Sequence, residues 1–239
     1  MAEDPIKLFS TRGERIPQPD DTQTLRAAIE KGIEQVPVFG PITTFITSRF
    51  WAPSASARLE EWLKELADDF DRHCETCTIE NLIKDDAFIS ASIQVARIVV
   101  ATHQEEKRKY LRNALLNIAI GKGLDEIKQQ IFLNTIEDFS PAHVKALDII
   151  WRTGKIPWDQ YKVPMGQRNY GAAIEIVVPE LKGQSNVTAA VLADLRIRGF
   201  SNLAGPELLF PKGGIITGFG VEFLNFVLSP EDLPKSSAT

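Results

Sequence analysis

Three stretches decide the fold: Ser140–Thr153, SPAHVKALDIIWRT; Gly171–Leu181, GAAIEIVVPEL; and Val187–Arg198, VTAAVLADLRIR. Each places apolar residues three and four apart, the period of a helix with one buried face. Ser140 stands where it can cap the first helix, and Pro141 follows at the first helical position, where its missing N–H costs nothing. The Gly-marked turn KGQS divides the second helix from the third. In VLADLRIRGF the spacing predicts Val191, Leu192, Leu195 and Ile197 inward, then a turn at Gly199. Two short extended runs, ELLF and GGIIT, follow with PKGG between them, and GVEFLNFVL closes the stretch as an amphipathic piece. Three helices, a small β wing and a closing element are the order of a winged helix-turn-helix, a fold that reads nucleic acid and also packs against proteins. Residues 140–230 are therefore expected to form this unit, with Leu147, Ile150, Leu192, Leu195, Phe223 and Phe226 in its core.

Upstream the chain reads as helical. Residues 1–21 are polar and Pro-rich and are expected to form a flexible arm, and residues 22–139 a helical bundle. Leu25, Ala28, Ile29, Ile33 and Val36 mark a first helix that Pro37 ends, and Ile42–Trp51 a short apolar one. From about Ser56, Leu59, Trp62, Leu63, Leu66 and Phe70 form a stripe opposite Glu60, Glu61, Lys64, Glu65, Asp68 and Asp69. Asp86–His103 has a broad apolar face, which predicts a central place in the bundle. In the next helix Leu111, Leu115, Ile118 and Ala119 form the stripe, and Gly121 and Gly123 stop it. In the last, the spacing predicts Ile127, Ile131, Phe132 and Ile136 buried. Residues 231–239 read as a disordered tail. The expectation is a mainly α protein: a helical bundle followed by a winged helix-turn-helix domain.

Composition narrows the function. The 239 residues are 44% hydrophobic and 25% charged, ordinary for a globular protein that buries a sizeable core. The formal net charge of -5 is uneven: residues 1–139 carry 17 Lys+Arg against 23 Asp+Glu, and residues 140–239 carry 10 against 9. A chain that coats nucleic acid by bulk charge is excluded, although local clusters can still bind it. Two cysteines make no disulfide framework and suit a reducing, cytoplasmic setting. No apolar run reaches the ~20 residues of a membrane-spanning helix.

Four groups of residues are candidates for chemistry or binding. On the third helix and the wing, Asn186, Thr188, Arg196, Arg198 and Lys212 are the groups that would contact DNA. They are few, and Asp194 sits among them. The uncharged run Gln35–Ser48, together with Phe39, Phe45, Phe50 and Trp51, would supply a membrane-disrupting surface over segment 36–51 if it were exposed. Pro37 and Pro41 favour a buried corner instead. His73, Cys74 and Cys77 form one HCxxC, which lacks the second ligand pair of a structural zinc site. Glu180 and Lys182 after AIEIVV, with Asp159 upstream, are half of a metal-dependent nuclease pattern, but Pro179 falls where a strand needs its N–H. No serine or cysteine nucleophile with a histidine partner is evident, and GKG and GGIITGFG lack the spacing of a phosphate loop. These residues predict no catalytic group, no metal and no cofactor.

The strings EEKRKYLRNALLN (105–117) and EDFSPAHVKALDII (137–150) resemble a layout in bacterial helical proteins related to abortive-infection (Abi-alpha-type) proteins. There a Lys-rich helix with Leu-x-Asn-Ala precedes a helix opened by Leu-Ser-Pro; here the strings are LRNA and FSP. The resemblance covers about Lys107–Ile150, with an upstream echo in VPVFGP and RLEEWLKEL, and the C-terminal part departs from it. It implies a bacterial or phage-borne protein linked to phage defence and carries over no catalytic residues. The combined expectation is a non-enzymatic interaction protein with a protein partner or self-association. The alternatives are a winged-helix DNA-binding regulator and a membrane-disrupting effector.

Overall fold

A computed structural model describes residues 53–73, 82, 84–121, 124–152, 165, 169–203 and 215–229. The described chain is mainly helical. Helix α1 spans Pro53–His73, α2 Asp86–Ala101, α3 Glu105–Ala119 and α4 Glu126–Asp138. Helix α5 spans Pro141–Trp151, α6 Tyr170–Val177, α7 Ser185–Ile197 and α8 Gly218–Val227. One antiparallel bridge joins Ser201 to Ile216. Residues 1–52, 74–81, 204–214 and 230–239, with the expected arm, the cysteines, the expected wing tip with Lys212 and the expected tail, lie outside the described residues.

Local chemistry explains where helices start and stop. The Asp85 carboxylate accepts from the N–H groups of Ala87 and Phe88 and caps α2; Asp125 caps α4 and Asn169 caps α6 in the same way. The second predicted helix, Gly171–Leu181, is shorter than expected. It ends at Val177 and becomes a single 3-10 turn, Pro179–Leu181, because Pro179 offers no N–H to continue the ladder. Helix α7 ends in a Schellman turn. Phe200 N–H reaches the Leu195 carbonyl at 2.9 Å, Gly199 N–H reaches Arg196 at 2.9 Å, and Gly199 takes φ +78°.

The predicted stripe of α1 is buried throughout, as is the core proposed for residues 140–230. Helix α2 buries nine residues from Phe88 to Val100 and packs against α1, α3 and α4, which makes it the centre of the bundle. Two expectations are corrected. Ile127 is 73% exposed and Ile131 43% exposed, while Gln129, Phe132, Leu133, Thr135 and Ile136 face inward. Ile197, expected inward, is 80% exposed. In α4 two apolar stripes overlap, and the one that meets aromatic partners is buried; in α7 the buried side is Thr188, Val191, Leu192 and Leu195.

Those partners belong to both halves of the chain. Phe132 of α4 lies 4.9 Å from Phe219, 5.3 Å from Phe223, 5.6 Å from Phe226 and 6.3 Å from Phe200, ring centre to ring centre. Phe139 joins Phe200 and Phe223 at 5.8 and 6.2 Å. Helix α8 thus sits against α3, α4 and α5, and the buried residues form one continuous core across position 139/140. Asn113 Nδ2 donates to the Val227 carbonyl at 2.9 Å, and Asn117 Nδ2 to those of Phe226 and Asn225 at 2.9 and 3.2 Å. The last turn of α8 has carbonyls with no partner inside their own helix, and α3 supplies the donors.

Candidate interaction surface

Helix α7 carries most of the predicted DNA-contacting residues, and its orientation separates them. Thr188, Val191, Leu192 and Leu195 face the core. Thr188 is only 1% exposed, so the expectation that it contacts a ligand is corrected; its hydroxyl has no hydrogen-bond partner. The opposite side carries Asn186, Ala190, Ala193 and Ile197, all exposed. Their spacing of four, three and four residues places them in one seam along the helix. Val187, 44% exposed, lies beside it. No cation stands in this seam.

The two arginines lie at the C-terminal end of α7. Arg196 is exposed beside the seam. Arg198 bonds to Asp138 at 2.8 Å and lies over the Phe139 ring at 5.1 Å, so its guanidinium is already engaged. Phe139 in turn stacks on His143 at 4.5 Å and 14°.

Ser140 and His143 form a capping box at the start of α5, with histidine in the place usually held by Glu or Gln. Ser140 N–H donates to His143 Nδ1 at 3.3 Å, and Ser140 Oγ lies 2.9 Å from the same nitrogen. Nδ1 is therefore the acceptor, and Nε2 carries the proton that faces Asp194 Oδ2 at 3.4 Å. Burial holds the His143 pKa below its ordinary value, opposed by Asp194 and assisted by Arg198. A Ser–His–Asp set absent from the sequence reading thus comes together and links α5 to α7. The local signal for half of it was SPAH itself; the Asp194 contact spans 51 positions.

The nuclease-like residues part company. Glu180 bonds to Lys145 at 3.1 Å, which also holds Glu106 at 2.8 Å. Burial lowers the Lys145 pKa, but the two carboxylates outweigh it and the net direction is up. Lys182 is exposed, AIEIVV is helical where described, and Asp159 lies outside the described residues. Phe39, Phe45, Phe50 and Trp51 also lie outside them. Among the described residues no helix is long and apolar enough to cross a membrane, and no group of His, Cys, Asp and Glu is placed to hold a metal ion. Compared with family models, curated proteins and solved structures, the chain matches none.

Proposed function

We propose that residues 140–229 are a winged helix-turn-helix used to dock onto protein, in a non-enzymatic interaction protein. The fold reading is supported by the order α5, α6, α7, by the turn at Gly183 and by the bridge that follows α7. There Asn202 N–H donates to Ile215 at 2.7 Å and Thr217 N–H to Phe200 at 3.1 Å, the pairing a wing needs at its base.

One observation carries the choice of protein over DNA. In a winged helix this third helix does the reading, and here its outward seam is Asn186, Ala190, Ala193 and Ile197. Small residues let another helix come close, and exposed Ile197 and Val187 supply apolar area. A reading helix needs arginine or lysine aimed outward, and of the two arginines here one is held by Asp138. The resemblance at Lys107–Ile150 supports a setting in phage defence.

A photocrosslinking residue at position 193 tests this in the full-length protein. A protein adduct, or a crosslinked dimer, that disappears in Ile197→Asp supports docking through α7. A gel-shift on random duplexes at physiological salt that shows tight binding sensitive to Arg196→Ala replaces it with the DNA reading.

A further inference from the structure

Helices α2 and α4 leave a groove between them. Gln129 Nε2 reaches the Ala87 carbonyl at 3.4 Å near one end, and Gln94 Nε2 reaches Asn134 Oδ1 at 2.6 Å further along. The helices thus run side by side in the same direction. The cavity measures about 440 Å³, with Ala87, Ser90 and Ala91 on its α2 side. Small residues there keep the space open.

The bond between Gln94 and Asn134 leaves Gln94 Oε1 and Asn134 Nδ2 without a partner among the described residues, one acceptor and one donor on facing walls. A residue of an extended chain offers the complementary pair, its own N–H and C=O, along one edge. Glu126 stands toward the Ala87 end of the groove, where it makes no ion pair among the described residues, and Arg97 and Glu137 offset each other at the other end. The distance from Glu126 to Glu137 along α4 is about 16 Å at the helical rise, the span of roughly five extended residues. Beside this wall, Ile127 and Ile131 are exposed. Ile127 lies three positions before Gln130 and Ile131 three before Asn134, so amide wall and apolar ridge are contiguous.

We propose that this groove binds an extended segment of a partner polypeptide. The N–H and C=O of one of its residues pair with Gln94 and Asn134. An apolar side chain rests on Ile127 and Ile131. A basic group lies toward Glu126. The surface is separate from the α7 seam, and the inference stands without the winged-helix reading.

The test is selection of a phage-displayed library of random heptapeptides on the full-length protein. The expected result is enriched peptides that carry an apolar residue beside a basic one. Their synthetic versions lose roughly fivefold in affinity for each hydrogen bond removed, in Gln94→Ala and in Asn134→Ala. Ile131→Lys weakens them further, and Glu126→Lys removes the preference for the basic residue. All four side chains are at or near the surface, so melting temperature reports that folding is intact. Ala190→Asp on α7 leaves binding unchanged. Failure to enrich any peptide, or equal binding to the Gln94→Ala/Asn134→Ala double variant, overturns the proposal.

Discussion

Single residues carry costs that their neighbours make plain. Gly220, in the first turn of α8, lies against the backbone of Phe200: a Cβ there would meet the Phe200 carbonyl oxygen at 2.2 Å and an Ile216 side-chain carbon at 2.9 Å. Backbone cannot swing aside as a flexible side chain does, so Gly220→Ala is expected to cost about 3 kcal/mol, at the upper end for overpacking, read as a fall in the denaturation midpoint. Asn113→Leu is expected to cost about 1–3 kcal/mol, because it strips a donor from a buried carbonyl and adds no partner. His143 contributes a dependence on pH. Its folded pKa is lower than its unfolded one, so its share of stability is full above the ordinary imidazole range and is lost as pH falls toward the folded value. The melting temperature should drop between pH 8 and pH 5 by less in His143→Asn than in wild type. Equal drops in the two proteins would remove His143 from the account.

At the scale of elements, what was legible in the sequence depended on how many apolar stripes a helix offers. Helix α1 offers one, Leu59 to Phe70, and all of it is buried. Caps were legible too: Ser140 with Pro141, and the glycines at 121, 183 and 199, whose φ values are positive. Helix α4 offers two stripes, and spacing cannot choose between Ile127 with Ile131 and Phe132 with Ile136. The choice is made by Phe200, Phe219, Phe223 and Phe226, 68 to 94 positions further on. The same ambiguity hid the α7 seam, although the spacing of residues 186, 190, 193 and 197 was there to read. Replacing Ile127 by Glu should change stability by less than about 0.5 kcal/mol, as at other surface positions, whereas Phe132→Ala should cost about 3–5 kcal/mol. Equal costs in thermal melts would mean that the register of α4 is the one read first.

For the whole molecule, the buried residues of the bundle and of residues 140–229 form one core. Cutting the chain between Phe139 and Ser140 would uncover Phe132, Leu116 and the faces that α8 covers. Fragment 140–229 is therefore expected to give little near-UV circular dichroism when expressed alone, while the intact protein unfolds in one denaturant transition. A fragment with native-like hydrogen-exchange protection would show that the shared core is dispensable. The helices of residues 140–229 were legible because each of them is local. The union of the halves was not, because it rests on contacts such as Asn113 with Val227, 114 positions apart.

That separation also bears on the order in which the chain emerges during synthesis. Helices α1 to α5 can assemble as soon as they leave the ribosome, yet the slot that α8 fills stays open until Val227 follows. In the interval Phe132 lacks its three ring partners from α8, and the Asn113 and Asn117 amides have no carbonyls to hold. A nascent chain paused before α8 therefore presents a wet apolar slot, the kind of surface that chaperones and proteases recognise. A message truncated just upstream of Gly218 should thus yield a product that the cell clears, even though seven of the eight described helices have been made.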